Sequence, residues 1–100
     1  MARILVVIAG GALLLASPAN AQTAGPTGQA MAQNCYVCHG PQGRGAPPIP
    51  TLARVPADVL KARMMEFKTD QRPSTVMARI AKGYSDAQIA AISDYLGALK

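Results

Sequence analysis

The pentapeptide Cys35-Tyr36-Val37-Cys38-His39 constrains this 100-residue chain more than any other feature. Two thiols three positions apart, followed at once by an imidazole, form the C-x-x-C-H pattern of c-type haem attachment. In that chemistry the thiols form thioethers with the porphyrin vinyl groups, and the adjacent His39 becomes the proximal ligand of the iron. These are the only two cysteines and the only histidine of the chain, so no other residue competes for these roles. A dithiol redox site would be expected within a βαβ pattern, which the sequence lacks. A structural zinc site needs four ligands, and no second cysteine or histidine cluster completes the three here.

The first residues read as an export signal. Met1-Ala2-Arg3 is a short basic start, Ile4–Ala16 is an apolar run of 13 residues, and Ala19-Asn20-Ala21 is an A-x-A cleavage site. The competing reading is an uncleaved anchor. A spanning helix needs about 20 apolar residues, and Pro18 and Asn20 stop the run short. The expectation is therefore a signal peptide over 1–21, a mature chain over 22–100, and no stable membrane insertion after cleavage.

Seventy-nine residues make one small domain, and such a chain buries only a marginal core unless something staples it. The sequence has no Trp and only Tyr36, Phe67, Tyr84 and Tyr95 as aromatics. A covalently held apolar disc at the centre would supply what the side chains lack. Nine basic against five acidic residues leave the mature chain at +4. That charge suits steering toward an acidic partner, although solubility alone would also account for it. The basic residues are scattered rather than blocked, so no nucleic-acid partner is expected.

The expected architecture is all-α. A first helix over 29–37 delivers the cysteines. Residues Gly40 to Pro56 hold eight Gly and Pro residues, which fix or free φ and remove donors, so no regular element crosses them. A second helix fits 57–69, with Asp58 in its first turn and Lys68 in its last, and with Leu60, Met64 and Phe67 on one stripe. A short third helix fits 75–82 and stops at Gly83. The last opens with the capping box Ser85-Asp86-Ala87-Gln88 and carries Ile89, Ile92, Leu96 and Leu99 on one face. No alternating strand pattern and no repeat appears in the mature chain.

A single histidine excludes bis-histidine ligation within the chain, so the candidate sixth ligands are methionines. Met31 lies four residues before Cys35 on the same helix and should pack near the ring edge. Met64 and Met65 are explained by the apolar stripe and its flank, since most methionines are core filler. Met77 follows a Pro-Ser turn 38 residues after His39, far enough for the chain to pass round the cofactor. Met77 is the expected ligand, with Met64 or Met65, or an open site, as alternatives. Thioether opposite imidazole raises the reduction potential and fills both axial positions. An iron so closed exchanges single electrons rather than binding substrate.

In this order of motifs the sequence resembles the class I cytochromes c. The resemblance implies the class I fold, short helices around one covalent haem c, and bacterial periplasmic localisation. It also implies that a loop proline carbonyl orients the proximal histidine: Pro50-Thr51-Leu52 matches the family's Pro-x-Leu step, giving Pro50 that part and packing Leu52 on the ring. The family crosses its first and last helices at small and aromatic residues, here Gly28 or Ala32 against Tyr95. More narrowly, Met31–Leu99, and above all Arg72–Asp86, is similar to the cytochrome subunit of flavocytochrome c sulfide dehydrogenase, in which the methionine at the position of Met77 ligates iron. The best-known subunits of that kind carry two haem domains, whereas this chain has one C-x-x-C-H.

The resemblance implies an electron-accepting subunit for a flavoprotein sulfide dehydrogenase or another redox protein. This reading gives the chain no catalytic residues of its own. Two rivals remain at the level of sequence: a free shuttle feeding a terminal oxidase, and a haem enzyme or gas sensor with an open distal site.

Overall fold

The computed structural model describes residues 25–100, together with Gly10 and Gly11. The expected leader and its cleavage site after Ala21 lie outside the described residues, those two glycines apart. Four α-helices follow in order: α1 (Gly28–His39), α2 (Ala57–Lys68), α3 (Met77–Lys82) and α4 (Asp86–Gly97). Among the described residues there is no strand, only one isolated bridge between Ala46 and Ile49. None of the described helices is long and apolar enough to cross a membrane.

Each helix starts and stops for a local reason. Thr27 is extended and its hydroxyl accepts the Ala30 amide at 3.1 Å, which caps α1. The helix runs two residues beyond Val37 to include His39, then ends at Gly40 with φ 84°, a conformation that favours glycine. Here a Cβ would also stand 2.5 Å from the Gly45 carbonyl oxygen. The capping box of α4 forms in full: Gln88 N donates to Ser85 Oγ at 3.1 Å, and Ser85 N donates to Gln88 Oε1 at 2.9 Å. Helix α3 starts at Met77, two residues later than the periodicity predicts. Val76 stays outside the helical region, and Ser74 Oγ accepts the Ala78 amide at 3.0 Å.

Helix α4 is the hub. It packs on α1 and on α2, and α3 packs on α2. The core cluster is small: Met31 and Ala32 from α1, Leu60 from α2, and Ile92 and Leu96 from α4, with Tyr36, Leu52, Tyr84 and Tyr95 against its edges. Burying a Leu or Ile contributes about 1.5–3 kcal/mol, so five such positions, one of them alanine, make a thin core. Helices α1 and α4 cross at Gly28, where a Cβ would lie 2.2 Å from the Ala91 carbonyl oxygen. Only glycine allows that approach. Of the predicted α2 stripe, Leu60 alone is buried, and Met64 and Phe67 remain half-buried.

The Gly/Pro segment after α1 is ordered by hydrogen bonds rather than by a repeating element. A 3-10 turn spans Pro41–Gly43. The Gly43 carbonyl then accepts Leu52 N at 2.6 Å, Ala53 N at 2.9 Å and Thr51 Oγ1 at 3.0 Å. Gly45 N returns to His39 O at 2.7 Å. These bonds fold the loop back against the end of α1.

Candidate cofactor-attachment site

Cys35, Cys38 and His39 occupy the last turn and a half of α1. Residues three apart share a helix face, so helical geometry alone sets the two thiols side by side. Both cysteines are free thiols; Cys35 is half-buried and Cys38 exposed. Burial pushes the Cys35 thiol above its usual range, partly offset by a backbone hydrogen bond.

His39 is 8 % exposed, the one buried ionisable side chain of the described core. Its Nδ1 lies 2.7 Å from the Pro50 carbonyl oxygen. A carbonyl only accepts, so Nδ1 carries the proton and Nε2 presents its lone pair. Pro50 is placed by its neighbours, since Thr51 and Leu52 both bond to the Gly43 carbonyl. Leu52 packs against the core cluster. The structure thus brings Cys35, Cys38, His39, Pro50 and Leu52 into one unit built from α1 and its following loop.

Met77 stands on a separate element. It is the first residue of α3, half-buried, and α3 packs on α2. Of the other methionines, Met31 is buried in the core cluster at 4 % exposure, which occupies it as packing. Met64 and Met65 are half-buried along α2. Beside Met77, Val76 and Ile80 expose 56 % and 48 % of their surface, and Val37, between the two cysteines, exposes 86 %.

The donor set fits one covalently held haem. Two unbridged thiols on one helix face suit two thioethers. An imidazole whose Nδ1 is engaged has a single nitrogen left to ligate, and a thioether is available on another element. The hydrogen bond to a carbonyl also sets the tautomer and raises ligand basicity.

Two features of the site were invisible in the sequence. The Tyr36 hydroxyl is buried without a hydrogen-bond partner. Burial, and then the neighbouring Tyr95 phenol, push Tyr36 above its usual value. Lys68, in sequence a helix-end charge, reaches Tyr84 O at 2.8 Å and Asp86 Oδ1 at 2.7 Å. No local pattern could announce bonds across 16 and 18 residues.

Comparison with known proteins gives the family. The Cytochrome c family profile matches residues 26–100. The cytochrome subunit of sulfide dehydrogenase from Chlorobaculum tepidum is 32% identical over 105 residues, covering 93% of this chain and 96% of that relative. The thiosulfate dehydrogenase electron acceptor of Thiomonas intermedia is 37% identical over 102 residues, covering all of this chain but 45% of the relative. Among solved structures, cytochrome c4 of Acidithiobacillus ferrooxidans is similar with a TM-score of 0.63 and 35% identity, over 65% of this chain and 38% of that one. The chain therefore spans less than half of the last two proteins and nearly the whole of the first. In length the chain is no departure from that first relative.

Proposed function

The chain belongs to the cytochrome c family, and from that premise we propose that it is the electron-accepting subunit of a flavocytochrome c sulfide dehydrogenase, exported to the periplasm after cleavage behind Ala21. It is an electron-transfer cytochrome with a covalent haem c and is not itself an enzyme. The observation that carries the partner assignment is the end-to-end match to the sulfide dehydrogenase subunit, 93% of one chain against 96% of the other. The paired flavoprotein would perform the bond chemistry on sulfide or polysulfide, and this chain would carry electrons away one at a time.

Bound haem c supplies a one-electron ferric/ferrous couple. The chain's residues divide the rest of the work. Cys35 and Cys38 would hold the group through two thioethers. His39 would ligate through Nε2 while Nδ1 keeps its proton and donates it to the Pro50 carbonyl, 2.7 Å away. Leu52 supplies apolar surface on the same side. Met77 would be the second protein ligand, offered from α3; its thioether would keep substrates and water off the metal and favour the reduced state.

A second reading has its own support. The Thiomonas relative accepts electrons from thiosulfate dehydrogenase, and its identity to this chain is 37%. One experiment separates the two. The native protein is purified under mild conditions, its companion identified, and haem reduction followed with each sulfur compound. Co-elution with a flavoprotein and reduction by sulfide support the first reading. Reduction with thiosulfate and no flavoprotein supports the second, and a monomer reduced by neither donor complex supports a free shuttle.

A further inference from the structure

All three ion pairs among the described residues gather on one stretch of chain, and Met77 lies within it. Arg72 Nε meets Glu66 Oε2 at 2.7 Å, Lys82 Nζ meets Asp70 Oδ1 at 2.6 Å, and Lys68 Nζ meets Asp86 Oδ1 at 2.7 Å. The first two pairs are open to water on both partners, and such pairs contribute little. Lys68 differs. Its side chain is 26% exposed, and its ammonium holds two acceptors at once, Asp86 Oδ1 and the Tyr84 carbonyl at 2.8 Å.

These contacts close a loop. Lys68 is the last residue of α2, and Tyr84-Ser85-Asp86 is the junction between α3 and α4. Everything from Thr69 to Gly83, Met77 included, hangs between the two stems that Lys68 joins. The junction is tied inward as well. Tyr84 packs on the core cluster, and its hydroxyl accepts from Asn34 Nδ2 at 3.4 Å, one residue before Cys35. The segment's own helix is only six residues long; beyond its packing on α2 and the Ser74 Oγ bond to the Ala78 amide, such ties set its placement.

We propose that Lys68 is the positioning residue for the sixth ligand: by joining the end of α2 to the α3–α4 junction it holds Met77 in the ligating position. This inference rests on the assignment of Met77 made above. Asp86 is 70% exposed, so the part-buried bond to the Tyr84 carbonyl carries most of the tie, and a charged hydrogen bond is stronger than a neutral one. Its loss frees the segment to swing, which raises the fraction of molecules whose sixth position is open to an outside ligand. The apparent affinity for that ligand rises with the open fraction.

The test is titration of the oxidised holoprotein with imidazole, followed through loss of the weak long-wavelength sulfur-to-iron band, beside the thermal melt of the helices. Lys68→Met should bind imidazole about tenfold more tightly than the native protein. Lys68→Arg should return the affinity toward native. Lys61→Met, an exposed lysine of the same helix without an ion pair, should leave it unchanged. Native imidazole affinity in Lys68→Met overturns the proposal, whether or not its helices melt earlier. Should that variant yield no holoprotein, Asp86→Ala removes one of the two acceptors and must shift the affinity in the same direction; no shift overturns the proposal equally. Met77→Ala separates the two claims. If it too keeps native affinity, the ligand assignment fails. If it binds imidazole more tightly while Lys68→Met does not, only the positioning role fails.

Discussion

His39 Nδ1 stands 2.7 Å from the carbonyl oxygen of Pro50, eleven residues away, and this bond fastens the end of α1 to the loop that follows it. The bond does two things at once. It selects the tautomer that leaves Nε2 free, and it draws charge onto the ring, which favours ferric iron. Pro50→Gly releases φ and lets the carbonyl drift. The expected outcome is a midpoint potential higher by up to about 60 mV, the equivalent of one hydrogen bond for a one-electron couple. Potentiometric titration of the holoprotein reads it, and an unchanged or lower potential counts against the part given to this carbonyl.

Met77→Ala is expected to abolish the sulfur-to-iron band of the oxidised protein and to let carbon monoxide bind after reduction. Met64→Ala and Met65→Ala should leave both properties native. The absorption spectrum decides, and a band surviving in Met77→Ala moves the ligand to α2.

The Tyr36 hydroxyl is buried with no partner, so deleting it removes a desolvated group rather than a bond. Tyr36→Phe should change stability at neutral pH by less than about 1 kcal/mol. Its effect belongs to alkaline solution. Burial, then Tyr95, raise the folded-state value above the usual 10.0. A raised folded value means that the unfolded chain gives up its proton first. This contribution to stability is therefore whole below about pH 10 and fades as the pH climbs through the folded value. Denaturant melts at rising pH should show a shallower alkaline decline in Tyr36→Phe than in the native protein. Parallel declines would mean that Tyr36 titrates like an exposed phenol.

Gly28→Ala tests the helix crossing. Alanine is the better helix former by about 1 kcal/mol, yet its Cβ would stand 2.2 Å from the Ala91 carbonyl oxygen. The backbone must yield, which costs about 1–3 kcal/mol, and Tm should fall by about 4–8 °C for each kcal/mol of net loss. A variant as stable as the native protein would show that α1 and α4 tolerate a wider spacing.

Much of this arrangement was legible in the chain, for reasons that differ by residue. Ser85 and Gln88 announce their helix because a capping box is local, with both partners within four residues. Ile89, Ile92 and Leu96 announce its buried face because 3.6-residue periodicity is written along one segment. The start of α1 was harder: Thr27 is a good cap, but the Gly25-Pro26 pair before it and Gly28 after it mask the signal. The extension to His39 depends on Gly40 adopting positive φ, which composition permits and does not demand. The family resemblance pairs Gly28 or Ala32 with Tyr95 at the crossing. In the fold Gly28 meets the backbone at Ala91, while Ala32 is buried in the core that Tyr95 flanks. Least legible were contacts made at long range. The order of residues 41–56 comes from donors converging on the Gly43 carbonyl, and Lys68 reaches Asp86 across 18 residues. Neither has a periodic or short-motif signature.

The central claim is a haem fixed covalently through Cys35 and Cys38. Intact mass spectrometry of the purified mature protein, before and after extraction with acidified organic solvent, tests it most directly. The account predicts the mass of residues 22–100 plus one haem, unchanged by extraction. A polypeptide of bare mass, or one that surrenders its pigment to the solvent, contradicts it.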